Sequence, residues 1–359
     1  MNNFPERPTL VDVAERAGVS VVTVSRVVAQ SAKVAAKTRS RVQRAMDELG
    51  YYGNAAASQL VSGRAHTVGV ITSGTVEYGY GSVISGIEER ARREGIAVLI
   101  AVIDDDGPES VRETLAHVVS QTLAGLVLID FDPRSHMVAA ALPSYIPAVS
   151  ITGPYGAAPL LPTVCIDEYQ GTLESARHLI GLGHESVFVL GPPHDDPPGR
   201  RSQGVLDALD EARLPHYPAM TCADWRPASG YVCMRDLLER YGDVVTAVSC
   251  ANDEIALGAV RAICEAGLRV PGDISVVGCD DNPLAAFASP PLTTVRQDFI
   301  GLGSRTLELL LDVIDGDPAP RTEHAMHPSL IIRESTGPRN PSRGIRLGSG
   351  AQMFAKDGS

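Results

Sequence analysis

"TLVDVAERAGVSVVTVSRVV", residues 9–28, decides how the rest of the chain is read. Thr9 can cap a helix, and Asp12 three positions on closes an approximate capping box. Leu10, Val13, Ala14 and Ala17 then recur at helical spacing, and Gly18 supplies a C-terminal stop. Ser20 can cap a second helix over residues 21–28. That segment, Val-Val-Thr-Val-Ser-Arg-Val-Val, is rich in β-branched side chains, and propensity alone would make it a strand. Its context reverses the reading, because it has two caps, a glycine corner and short helices on both sides. A third helix is expected over residues 36–49. It carries Val42, Ala45, Met46 and Leu49 on one face, Lys37, Arg39, Arg41 and Arg44 off it, and Gly50 at its end.

Helix, tight turn, helix is the geometry that seats a second helix in the major groove of DNA. Val24 and Val27 face the small core in this reading. Val21 and Val22, near the start of the second helix, have no polar atoms and could read thymine methyls. Arg26, one turn on, is the hydrogen-bonding reader, with guanine its favoured partner. Thr9, Ser20, Thr23, Ser25 and Lys37 are candidates for positioning phosphates. Charge placement agrees. The chain carries −12 overall, yet residues 1–64 carry +4 and the remainder −16. A small basic head on a large acidic body is suited to meeting a polyanion through the head alone.

From His66 onward, apolar runs alternate with helical patterns. Strands are expected at "TVGVITS", "AVLIAVI", "AGLVLIDFD", "IPAVSIT", "TVCID", "SVFVLGP", "TAVSCA", "ISVVGCD" and "LTTVRQD". Helices are expected at about 80–94, 109–121, 168–182, 200–213, 228–241, 253–267 and 299–315. This βαβ series predicts an α/β body of two doubly wound parallel-sheet lobes behind an all-α head. Ligands in such folds bind beyond the carboxyl ends of strands, where Ser73, Arg201, Trp225, Asn252, Asp280 and Gln297 fall.

The head, with "TLVDVAERAGVSVVTVSRVV" followed by "KVAAKTRSRVQRAMDELGY", resembles that of the LacI/GalR family of bacterial transcriptional regulators. The body resembles the same family from about His66 to Gly337, most closely at "DWRPASGY", "ANDEIALGAVRAICEAGLRVPGDISVVGCDD" and "PPLTTVRQDFIGLG". The resemblance implies a periplasmic-binding-protein-like body with an effector between its lobes. Trp225 would stack on an apolar sugar face, and Arg201, Asn252 and Asp280 would hydrogen-bond hydroxyls. Gln297, Phe299 and Ser73 would complete the wall. A sugar presents a ring of hydroxyls and a C–H face, which suits planar polar side chains beside an aromatic plate. Thr152 and Ile166 depart from a pattern of an aspartate and an aromatic at those positions, so the effector is not specified as lactose.

The family pattern also implies a hinge helix from Asn54 through about Val61, paired with its dimer mate in the minor groove. Alone it is shorter than the roughly 12–15 residues an isolated helix needs in water. Asn54 and Ala57 would contact DNA, and Leu60 would be the wedge between base steps. Gly53 replaces the proline many members carry there and makes the free hinge costlier to order.

The expected organisation is a helix-turn-helix head (1–53), a hinge helix and linker (54–65), a ligand-binding and dimerisation body (66–337) and a flexible tail (338–359). The tail lacks apolar heptads, so a homodimer on a pseudo-palindromic, double-stranded operator is expected rather than a tetramer. The expected function is effector-controlled repression with a sugar inducer, the alternative being a corepressor such as a purine or nucleoside. An enzyme is not expected. "GYGSVI", "GLGSRT" and "GLGHES" lack the third glycine of a dinucleotide fingerprint, and there is no P-loop, G-x-S-x-G or H-E-x-x-H. His178 and His184 read as solvated at a helix end. The six cysteines have neither C-x-x-C nor zinc-ligand spacing and read as buried reduced thiols. No metal or cofactor is expected. The N-terminus lacks a secretory signal and no apolar run suggests a membrane span, so a cytoplasmic, nucleoid-associated protein is expected.

Overall fold

The computed structural model describes residues 8–28, 33–52, 65–103, 107–131, 133–152, 160–193, 200–316 and 324–343. They form two units that divide after His66.

The first unit is helical: α1 (Leu10–Ala17), α2 (Val21–Val28) and α3 (Ala36–Leu49). The Thr9–Asp12 capping box is complete, with both the Thr9 side chain and the Asp12 side chain engaging the opposite backbone N–H. Gly18 closes α1 in the left-handed region at φ 61°. The Ser20 hydroxyl accepts from Thr23 N at 3.3 Å and so caps α2. Ala35 makes no capping bond to α3. Val13, Ala14, Ala17, Val24, Val27, Val42, Ala45 and Tyr51 form the core. Packing of Val24 and Val27 into that core outweighs the strand propensity of α2, since most helical stability comes from the buried face.

The second unit contains two sheets. One comprises β1 (Thr67–Thr72), β2 (Ala97–Val102), β3 (Gly125–Asp130), β4 (Ala148–Thr152), β5 (Thr163–Ile166) and β11 (His324–Met326), in the order β2-β1-β3-β4-β5-β11. The other comprises β6 (Val187–Gly191), β7 (Met220–Thr221), β8 (Ala247–Cys250), β9 (Ser275–Asp280), β10 (Thr293–Arg296) and β12 (Ser329–Ile331), in the order β7-β6-β8-β9-β10-β12. Every pairing is parallel except β10 with β12. The five leading strands of each lobe therefore repeat one doubly wound order, with the topological switch between β1 and β3 and between β6 and β8. The continuous apolar runs follow from this, because a parallel sheet is covered on both faces; all six residues of β3 are buried.

The helices of this unit are α4 (Tyr78–Arg93), α5 (Pro108–Val119), α6 (Pro133–Ala141), α7 (Glu168–Gly181), α8 (Arg200–Glu211), α9 (Pro227–Tyr241), α10 (Asp253–Glu265) and α11 (Phe299–Asp315). The chain leaves the first lobe between β5 and α7, returns at α11, and crosses again between β11 and β12. These crossings lie together, since Asp167 N donates to Met326 O at 2.9 Å.

Three expectations are corrected. Helix α6 was not foreseen; it begins at Pro133 and has little amphipathic signal. Residues 338–343 are not a free tail, because Arg339 N donates to Leu182 O at 3.0 Å and Arg339 pairs with Glu185 at 2.7 Å. His184 is not solvated. It is buried, with Nδ1 at 3.1 Å from Thr246 Oγ1 and Nε2 at 3.0 Å from Ser275 Oγ and 3.1 Å from Gly337 O. His178 is half-buried against Thr336.

Burial pushes the His184 pKa below its ordinary value, despite the Gly337 carbonyl, which accepts from the ring and favours its charged form. The folded form thus binds the His184 proton less tightly than the unfolded chain does. Its stabilising contribution is full above the unfolded pKa of about 6.5 and is lost as pH falls below it. Asp253 opposes this over part of the same range, because burial pushes its carboxyl up to about 7. The expectation is therefore placed on a difference: the Tm gap between wild type and His184→Gln is larger at pH 7.5 than at pH 5.5. Thermal melts of both proteins check it, and a gap that widens on acidification contradicts it.

Candidate functional site

In the head, the exposed start of α2 presents Val21 and Val22, with Arg26 one turn on and also exposed. Thr9, Ser20 and Lys37 are exposed, and Thr23 and Ser25 are half-buried. The Ser20 and Thr23 hydroxyls lie 2.9 Å apart. Two other basic residues have structural work: Arg16 pairs with Glu48 at 2.6 Å, and Arg41 donates to Gly18 O at 3.4 Å. The surface left to meet a ligand is thus apolar at its centre with hydroxyls and cations around it. This matches major-groove reading by methyl contact and one guanidinium. Gly53, Asn54, Ala57 and Leu60 lie outside the described residues.

In the body, a cavity of about 60 Å³ lies between the lobes. It opens at both switch points. Residues 77–80 follow β1 and Phe131 follows β3, while Pro192 follows β6 and Asn252 follows β8. The first lobe contributes an aromatic wall. Tyr80 meets Phe131 edge-on at 5.1 Å between ring centroids, and Phe299 meets Tyr78 at 6.0 Å. Phe299 reaches this wall because it is the first residue of α11, whose N-terminus Asp298 caps through Gly301 N at 2.8 Å. Trp225, half-buried, faces the cavity from the second lobe.

The polar floor is built around Arg201. Its Nη2 lies 2.6 Å from Glu168 Oε1 and 3.9 Å from Asp280 Oδ1, and its Nη1 donates to Ala251 O. Its guanidinium carbon stands 5.4 Å from the Trp225 ring centroid, within cation–π range. Burial alone would weaken the charge on Arg201, but the Glu168 carboxylate beside it holds its pKa above the ordinary value. Burial pushes the Asp280 carboxyl well above the usual carboxylate range, with Arg201 working against it. Asp280 also sits at φ 112°, a strained backbone angle of the kind concentrated at ligand sites. Its neighbour Asp281 secures the turn through Arg296 at 2.7 Å and Arg333 at 2.6 Å. Asn252 caps α10 by accepting from Ile255 N at 2.7 Å, and its amide donates to Trp225 O at 3.1 Å. One side chain therefore starts the helix and fixes the loop that carries the tryptophan.

Arg201, Trp225, Asn252, Asp280 and Phe299 line the cavity as expected from their positions. Ser73 and Gln297 do not; they stand one layer behind it. Ser73 Oγ lies 3.0 Å from the Tyr80 hydroxyl, and Gln297 Nε2 donates to Asp280 Oδ1 at 2.9 Å. Their place follows from the residues in front of them, since Tyr80 and Asp280 occupy the cavity surface. Glu77, Tyr78, Tyr80, Phe131, Glu168 and Pro192 also line it and were missed. The strand ends at β1, β3 and β6 were a signal for five of them. Glu168 was legible only as a first-turn acid of α7.

A three-helix head shaped for the major groove and a two-lobed body with a polar-aromatic cleft define a ligand-responsive DNA-binding regulator. Residues 9–54 match the bacterial regulatory proteins of the lacI family, and residues 176–336 match a periplasmic binding protein-like domain. The lactose operon repressor of Escherichia coli (strain K12) is 35% identical over 334 residues, covering 91% of this chain and 90% of the relative. The structure of a lac repressor dimer bound to operator and the anti-inducer ONPF superposes with a TM-score of 0.79 at 33% identity, covering 92% of this chain and 100% of that one. A complex of the transcriptional regulator CelR with cellobiose superposes with a TM-score of 0.67 at 31% identity, covering 92% and 100%. The chain belongs to the LacI family. It is a DNA-binding transcriptional repressor with an effector-binding body, and its relatives are regulators rather than enzymes. No helix among the described residues is long and apolar enough to cross a membrane.

Proposed function

We propose that this protein is a sugar-induced repressor that grips a pseudo-palindromic operator as a homodimer and releases it when the cleft fills. The observation that carries the sugar reading is the cavity itself: an aromatic plate at Trp225 stands beside Arg201, Asn252 and Asp280 on a space lined by both lobes. This pairs a surface for a C–H face with donors and acceptors for hydroxyls. The complex of CelR with cellobiose and the family's lactose operon repressor support the same class of ligand. Dimerisation is supported by apolar side chains left exposed at the sheet edge (Ile100 and Val102) and after β9 (Leu284 and Phe287). A two-fold dimer matches a two-fold operator.

Titration of Trp225 fluorescence with mono- and disaccharides, with operator binding followed in parallel, tests the proposal. A saturable change with loss of operator binding is the expected result. A ligand that tightens operator binding instead overturns the inducer sign and favours the corepressor reading.

Two head variants test the DNA assignment. Arg26→Ala is expected to cost about 1–3 kcal/mol of operator affinity and to relax preference at one base pair, checked by binding to a set of single-base operator variants. A uniform loss across all of them contradicts a base-reading role. Leu60→Ala is expected to weaken specific binding far more than nonspecific binding, as a wedge between base steps requires. Comparable losses on operator and random duplex count against the wedge.

A further inference from the structure

The charge on the cavity floor restricts the effector further than its hydroxyl-binding shape does. Arg201 is the only cationic side chain among the described lining residues, whereas Glu77, Glu168 and Asp280 are acidic. Both terminal nitrogens of the single cation are already engaged, while its Nε has no partner. Glu168 takes its Nη2 at 2.6 Å, the Ala251 carbonyl takes its Nη1, and both the Arg201 and the Glu168 side chain are about nine-tenths buried. The lining therefore carries more negative than positive formal charge. A phosphate or carboxylate entering this space would compete with Glu168 for the Arg201 guanidinium and lie beside a buried carboxylate of like charge. Among the described lining residues, Glu168 Oε2 is a buried acceptor and Arg201 Nε a buried donor without a hydrogen-bond partner, and Gln297 Oε1 behind them is a further unpartnered acceptor. Such acceptors are met by hydroxyl or amide donors, not by an anion. Glu168 has a further property of position: it opens α7 one residue after Asp167, where the chain crosses between lobes.

We propose that the cleft is selective for uncharged, donor-rich ligands over their phosphorylated counterparts, and that Glu168 sets this selectivity by neutralising Arg201 and supplying an unpaired acceptor at the hinge. The claim deepens the sugar reading and rests on it for the choice of sugars, but its charge rule can be judged apart from that reading.

The experiment uses the full chain, with Trp225 fluorescence and calorimetry as readouts. The probes are neutral and phosphorylated pairs: lactose, cellobiose and maltose with their 6′-phosphates, and adenosine with adenosine monophosphate. The expected result is that a neutral sugar saturates the protein and its phosphate binds at least about thirtyfold more weakly, as like-charge juxtaposition requires. In Glu168→Gln the neutral sugar is expected to lose about tenfold or more in affinity, and the discrimination against its phosphate is expected to narrow. A phosphate that binds as tightly as its neutral partner overturns the charge rule and leaves the sugar reading standing. Preference for adenosine, with rejection of its monophosphate, overturns the sugar reading and leaves the charge rule standing. Silence with every pair overturns both. The wild-type ratio alone decides the charge rule should Glu168→Gln fold poorly. An unchanged ratio in a folded Glu168→Gln removes Glu168 as its cause.

Discussion

Replacing Arg201 with alanine is expected to leave operator binding intact and to abolish the response to effector. The guanidinium joins Glu168, Asp280, the Ala251 carbonyl and the Trp225 face in one cluster. Its loss removes a donor fork from the ligand and leaves a buried carboxylate at Glu168 without its cation. Breaking a buried pair in this way typically costs about 3–5 kcal/mol. The head is a separate compact unit, so DNA contact survives. A repressor locked on its operator is the expected phenotype, with effector affinity reduced at least about a hundredfold by loss of the donor fork. Arg201→Lys keeps a cation beside Glu168 but not the planar fork, and is expected to fall between the two. Titration of all three proteins with an effector identified through Trp225 checks this. Affinity in Arg201→Ala within tenfold of wild type would show that Arg201 is only structural.

Gly258→Ala is expected to destabilise the body by about 3 kcal/mol, the upper part of the range for overpacking. Gly258 on α10 abuts the main chain of α9: a Cβ there would overlap the Pro227 carbonyl oxygen and crowd Tyr231 N. Gly230 on α9 faces the Ile255 main chain in the same way, so the two helices meet backbone to backbone. Neither neighbour can move as a flexible side chain would. The sign makes this decisive. In a helix interior with room for a methyl, glycine to alanine would stabilise by about 1 kcal/mol through propensity. A fall in Tm on the order of 6–10 °C is predicted, and any rise contradicts the close crossing.

The parts of this fold written locally were legible in advance. Thr9, Gly18 and Ser20 announce the two helices of the head through caps and a left-handed corner, and the structure reproduces them. The alternation of apolar runs and helical patterns likewise places most strands and helices of both lobes. What escaped was non-local. The two-residue β7 and the short β11 and β12 owe their existence to neighbouring strands rather than to any pattern of their own. His184 looks like a loop residue, and only the fold brings Thr246, Ser275 and Gly337 around it. The cavity was half legible. Trp225, Arg201, Asn252 and Asp280 stood out by chemistry and position, while Glu168 and the Tyr78–Tyr80–Phe131 wall became visible only when the strands were ordered. Ser73 and Gln297 fell one layer short because strand-end position does not say which side chain reaches the surface.

The central claim is that the head and the cleft are two ends of one equilibrium. Linkage then requires reciprocity: whatever factor the effector removes from operator affinity, the operator must remove from effector affinity. The direct measurement is the effector dissociation constant from Trp225 fluorescence, with and without saturating operator duplex. A weakening by operator that equals the effector's effect on DNA binding, corresponding to roughly 1–3 kcal/mol of coupling, is the predicted result. Equal effector affinity in the two conditions would contradict the account.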